Sequence, residues 1–202
     1  MMTNTNNNEV NAESFVSKLH NLVPKFLQEV EDKLPFVANL EADHVCWRTE
    51  TTESYQSLVS ALKAYPESSL LIESLIGGRP IATFKLNEGI SYKGRKVSIL
   101  EIPSPKEGSP YKEGLEHVEF VIGESSDHSL HTPINNTAHE TALEKIMSEH
   151  SDIEWNTKAS SKKVNPDVSL KLSLSSFGTC SVKFHLLPLE KVIEYEISHG
   201  MT

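Results

Sequence analysis

Cysteine is nearly absent from this chain. The two present, Cys46 and Cys180, are too few and too far apart for a disulfide framework or a cysteine-based zinc motif. A reducing compartment follows, and the expected location is the cytoplasm. Basic charge is also scarce: 19 Lys and Arg stand against 28 Asp and Glu, a formal net charge of −9. The only lysine pair in a polar run is SSKK at 160–163. Nucleic acid needs a basic stripe to neutralise its phosphates, so it is excluded as an expected partner. No apolar run approaches the roughly 20 residues of a membrane helix, so no membrane partner is expected. The opening MMTNTNNNEVNAESF has neither a positive n-region nor an apolar h-region. It predicts a disordered polar tail over 1–10 rather than a secretory signal.

What is present is a chain of 202 residues, 38% hydrophobic and 23% charged. That is enough to bury a sizeable core. Over 12–33, apolar side chains fall at Phe15, Leu19, Leu22, Phe26, Leu27 and Val30, which is helical spacing. Pro24 predicts a break near Leu22–Val23 and two helical pieces within an N-terminal arm, 11–36. From residue 41 the period changes to two. Strands are predicted at 42–49, 69–76, 80–87 and 94–103, with a helix at 52–65. The order then repeats, with strands at 115–122, 152–158, 167–175 and 179–187 and a helix at 138–150. A last helix covers 189–198.

The chain therefore reads as an α+β fold of two βαβββ modules, 41–103 and 115–187, within a single domain over 11–198. Each module opens on an acidic residue, His and Val: Asp43-His44-Val45 and Glu116-His117-Val118. One sheet with a helix on its outer face leaves the inner face open. Two modules facing each other would close around a shared pocket, a common address for small ligands.

Strand alternation separates the faces. Val45 and Trp47 lie opposite His44, Cys46 and Arg48. Val118, Phe120 and Ile122 lie opposite His117, Glu119 and Val121. Val182, Phe184 and Leu186 lie opposite Ser181, Lys183 and His185. Glu101 shares a face with Val97 and Ile99. Each polar face is expected to line the cavity, and each apolar face to sit under a helix. Three histidines and one carboxylate from four strands suit one divalent transition metal ion, Zn, Ni, Fe or Mn, over Ca or Mg. The bland reading of each residue is a hydrogen-bonded or paired side chain: Glu119 with Lys183 or Arg48, Glu101 with Arg95 or Lys96, Cys46 as a small buried filler. His20, His128, His131, His139 and His150 are read as solvent-exposed, and His199 as part of a frayed tail.

The stretches ADHVCWRT, IGGRPIATFKL, SILEIPSPKEG, YKEGLEHVEFVI and SVKFHLLPLEKVI, in that order and spacing, resemble the bacterial YecM family. The paired modules resemble the wider vicinal oxygen chelate superfamily of glyoxalases, bleomycin-resistance proteins and extradiol dioxygenases. The likeness covers about 12–198. It implies metal positions at His44, Glu101, His117 and His185. Most superfamily members carry Glu at the last of these, so His185 changes the charge of the site by one unit. The function implied is a metalloenzyme, an isomerase, lyase or dioxygenase, acting on a small oxygen-rich molecule. The alternative is a small-ligand-binding or sequestering protein without turnover. A third reading is a metal-free hydrogen-bonded network. Glu119, two residues after His117 on the same face, is the candidate general base. Arg48, with Arg79 and Lys183, is the candidate binder of a substrate carboxylate or phosphate. The helical arm is expected to cover sheet edges and to favour a monomer over a dimer.

Overall fold

A computed structural model describes residues 10–108, 111–122, 133–134 and 137–201. The predicted tail, bar its last residue, and His128 and His131 lie outside the described residues. The first helix, α1, spans Ala12–Lys33, with Asn11 as its N-cap accepting from the Ser14 N–H at 2.9 Å. It runs unbroken through Pro24, contrary to the predicted break. Proline costs about 3 kcal/mol inside a helix. Against that, Phe15, Leu19, Val23, Phe26, Leu27 and Val30 are all buried along one continuous face. Each such side chain contributes about 1.5–3 kcal/mol of burial, so a single continuous helix wins. A 3-10 turn, Pro35–Asn39, leads into β1, Glu41–Arg48.

Helix α2, Thr52–Ala64, opens on a reciprocal capping box between Thr51 and Ser54. Strands β2 (Ser68–Ile76), β3 (Arg79–Tyr92) and β4 (Arg95–Pro103) complete the first module. Gly77 and Gly78, both at positive φ (60° and 81°), make the two-residue turn between β2 and β3. The second module has β5 (Gly114–Val121), α3 (Thr137–Glu149), β6 (Val168–Leu174) and β7 (Gly178–His185), and α4 (Leu189–Ser198) follows.

The predicted strand at 152–158 is replaced by turns, with one isolated bridge between Asn156 and Ser169. Its alternation is overridden by anchors. The Trp155 indole N–H donates to the His150 carbonyl at 3.1 Å, and its ring meets Phe184 edge-on at 5.5 Å. The Ile153 N–H also turns back to the His150 carbonyl. Among the described residues the second module thus has three strands where four were expected.

The modules join edge to edge into one seven-stranded sheet, ordered β2-β3-β4-β1-β5-β7-β6. Within each module the first strand runs parallel to the last, β1 to β4 and β5 to β7. The seam between modules is the antiparallel pair β1–β5. Phe15 packs edge-on against Trp47 at 5.2 Å, which places α1 on the apolar face of the seam. The other face carries the histidines. No helix of the described residues is long and apolar enough to cross a membrane.

Candidate metal centre

The four expected metal positions lie on the strands around the seam. β1 contributes His44, its parallel neighbour β4 Glu101, its antiparallel neighbour β5 His117, and β7, beside β5, His185. His44, His117 and His185 are 2%, 5% and 1% exposed, so the polar side of these strands is interior. Donor atoms of His44, Glu101 and His117 all lie within 4.8 Å of one another, as do those of Asp43, His44 and His185, with His44 common to both groups.

The hub of the cluster is Glu119. Its Oε1 lies 3.3 Å from His44 Nε2 and 3.2 Å from His117 Nε2, and its Oε2 lies 3.5 Å from His185 Nε2. Lys183 donates to Oε1. Glu101 Oε2 is 3.4 Å from His117 Nε2. Both nitrogens of His117 and Nε2 of His185 are buried with no hydrogen-bond partner. His185 is oriented from its other side, where Nδ1 meets the Leu187 carbonyl at 2.6 Å and Asn165 at 3.2 Å. Such outer contacts fix a ring that presents its second nitrogen to a ligand.

Two acidic residues join the cluster that alternation alone assigns to the other face. Register along β1–β5 slips between Ala42 and His44 and again between Cys46 and Trp47. Asp43 is the extra residue of β1 at the first slip, and Glu116 the extra residue of β5 at the second. Both slips are β-bulges, which re-aim a side chain. Asp43 Oδ2 meets His44 Nδ1 at 2.8 Å, accepts from the Leu189 N–H at 3.0 Å and lies 3.5 Å from His185 Nε2. Glu116 accepts from Arg48 through Oε1 and turns Oε2 toward Cys46 Sγ at 3.6 Å and His117 Nδ1 at 3.4 Å. The repeated acid-His-Val tripeptide was the visible signal for both.

Charge in the cluster is mutually stabilising. Burial works against a protonated His44, but Glu119 and Asp43 outweigh it and lift the ring to about 9. Burial also opposes charge on His117, and attraction to the Cys46 sulfur and the Glu101 carboxylate raises it well above the ordinary value. Glu119, despite burial, is held well below the usual carboxylate range by Lys183 and His44. Glu116 is held at about 2 by His117 and Arg48 against its burial. Burial pushes the Cys46 thiol up to about 11.

The three candidate substrate-binding cations are all engaged. Lys183 is paired with Glu119. Arg48 is paired with Glu116 and lies over the Tyr111 ring at 4.2 Å. Arg79 donates to the Ser104 carbonyl at 3.0 Å and to the Tyr111 hydroxyl at 2.8 Å. Arg48 and Arg79 therefore share Tyr111 rather than the histidines. Two histidines read as exposed are not. His139 is fully buried on α3, and His150 stacks on Phe36 at 3.8 Å.

Fold and site together define an α+β protein of paired strand–helix modules, with a histidine–carboxylate cluster buried at the seam between them. The chain belongs to the YecM family, whose model, described as YecM protein, matches residues 11–196. Protein YecM of Escherichia coli (strain K12) is 28% identical over 191 residues, covering 87% of this chain and 91% of that one. A solved structure described as "Structural Genomics, Protein EC4020" is 24% identical, with a TM-score of 0.64 over 92% of this chain and 91% of that chain. The crystal structure of BphC, a halotolerant catechol dioxygenase, is similar at a TM-score of 0.40 and 12% identity, over 73% of this chain and 42% of that chain.

Proposed function

We propose that the seam cluster holds one divalent transition metal ion, with His44, Glu101, His117 and His185 as ligands, and acts on a small oxygen-rich molecule. The observation that carries this reading is the pair of buried ring nitrogens without a hydrogen bond, His117 Nε2 and His185 Nε2, directed at the same carboxylate. A buried polar atom left unsatisfied costs about 1–3 kcal/mol. Two in one cluster, beside a third imidazole and Glu101, fit a borderline cation of the Zn, Ni, Fe or Mn type. Bound there, such an ion supplies Lewis-acid polarisation of substrate oxygens.

The remaining roles belong to the chain. Asp43 holds the His44 ring through Nδ1, so Nε2 is the nitrogen presented to the centre. Lys183 keeps the Glu119 carboxylate ionised and fixed. Glu119 takes a proton only weakly while His44 and His117 are charged; neutral rings restore its basicity and suit it to be the base. Arg48 and Arg79, joined by Tyr111, are the groups that would meet an anionic part of the substrate.

Binding without turnover is the second reading, and the depressed basicity of Glu119 favours it. Calorimetric titration of the metal-stripped protein with Zn, Mn or Ni tests the site. Loss of one binding event in His185→Ala supports it, whereas an unchanged isotherm in that variant refutes the ligand set. Turnover lost in Glu119→Gln with metal retained then separates enzyme from binder.

A further inference from the structure

His117 faces two ways. Its Nε2 is directed at Glu101 and Glu119, within the cluster described above. Its Nδ1 lies 3.4 Å from Glu116 Oε2 and is also buried without a hydrogen-bond partner. Donor atoms of Cys46, Glu116 and His117 lie within 4.8 Å of one another. From this geometry we infer a second metal site, formed by Cys46 Sγ, Glu116 Oε2 and His117 Nδ1, that takes zinc or a zinc-like ion.

Edge lengths support it. A tetrahedral zinc with bonds of about 2.3 Å to sulfur and about 2.0 Å to oxygen or nitrogen sets ligand–ligand edges near 3.5 Å for O···S and near 3.3 Å for O···N. The corresponding separations are 3.6 Å from Glu116 Oε2 to Cys46 Sγ and 3.4 Å from Glu116 Oε2 to His117 Nδ1. The bulge at Glu116 brings this carboxylate beside the two side chains of the Cys46–His117 pair. Arg48 occupies the other oxygen of Glu116, so the carboxylate is aimed before any ion arrives. A thiolate, an imidazole and one carboxylate form a softer set than the histidine–glutamate cluster, which selects zinc or cobalt over manganese or magnesium. Arg48 and Glu116 also line a cleft of about 490 Å³ with Trp47 and Tyr111, so the carboxylate of the site borders it. Binding displaces two protons to solvent, the thiol proton of Cys46 and the Nδ1 proton of the charged His117 ring, and sulfur and Nδ1 each donate the freed pair to the ion.

The site shares the His117 ring with the proposed function but does not depend on it, and cobalt distinguishes the two. Metal-stripped protein is titrated with Co(II), and the near-ultraviolet thiolate-to-cobalt charge-transfer band is followed. The band is expected in the wild type and in Cys180→Ser, and to be absent in Cys46→Ser. It is expected to persist in His44→Ala, which dismantles only the first cluster, and to need at least tenfold more cobalt in Glu116→Gln, with folding checked by circular dichroism. Cobalt binding without this band in wild-type protein would overturn the second site and leave the first standing. A band lost in Cys180→Ser but kept in Cys46→Ser would overturn it as well.

Discussion

Glu119→Gln in metal-stripped protein is the sharpest perturbation of the cluster's electrostatics. Glu119 is the leading cause that raises His44, lifting it from 6.5 to about 9 against complete burial. A shift of that size corresponds to about 3 kcal/mol of preference for the protonated, folded state. Because the folded value lies above the unfolded one, this stabilisation is fully present below about pH 6.5. It is lost as pH rises through about 9. Wild-type protein should therefore lose about 3 kcal/mol of unfolding free energy between pH 6 and pH 9.5, and more if His117 follows the same course. In Glu119→Gln the amide cannot hold the charge and only Asp43 still supports it, so His44 should titrate lower than in the wild type. The loss over that window should shrink. The variant should also be less stable at pH 6, since it leaves Lys183 without its buried partner; breaking such a pair costs about 3–5 kcal/mol. Urea unfolding at the two pH values measures the free energies, and imidazole NMR follows His44 directly. An unchanged His44 titration in Glu119→Gln would refute the assignment of Glu119 as the hub.

Other outcomes follow from the same structure. Pro24→Ala restores a helix hydrogen bond inside unbroken α1 and should raise stability by about 1–3 kcal/mol, read by urea unfolding; a loss would mean that the ring packs where no helix penalty exists. Glu116, held at about 2, contributes stability present above about pH 4.5 and lost as pH falls toward 2. Glu116→Gln should flatten that acid limb by up to about 3 kcal/mol, measured by unfolding at pH 5 and pH 2.5. A metal ion at 100 times its dissociation constant should add about 2.7 kcal/mol and raise Tm by about 5–11 °C, reversed by chelator, in a calorimetric scan.

Much of this site was legible because strands alternate with a period of two. His44, Glu101, His117, His185 and Glu119 could be placed on interior faces from alternation alone, and the repeat of acid, His and Val tied the two modules together. Asp43 and Glu116 could not, because a bulge is a property of the register between two strands rather than of either strand. The run at 152–158 has strand-like composition, and only the tertiary anchors of Trp155 show that it turns instead. Pro24 misled for the opposite reason: a local rule was outweighed by long-range burial along α1. The engagement of Arg48, Arg79 and Lys183 with Glu116, Tyr111 and Glu119 depends on side chains brought together from separate strands and a loop, which residue type alone does not show.

The central claim is a metal ion held by the seam histidines. Elemental analysis by mass spectrometry, on tag-free protein purified without chelator beside His44→Ala, tests it most directly. His44 is the right variant because it belongs to the first cluster and not to the Cys46–Glu116–His117 group. The account predicts about one equivalent of Zn, Ni, Fe or Mn in the wild type attributable to this centre, and its loss in the variant. Identical metal content in both proteins, or none in either after reconstitution, would contradict it.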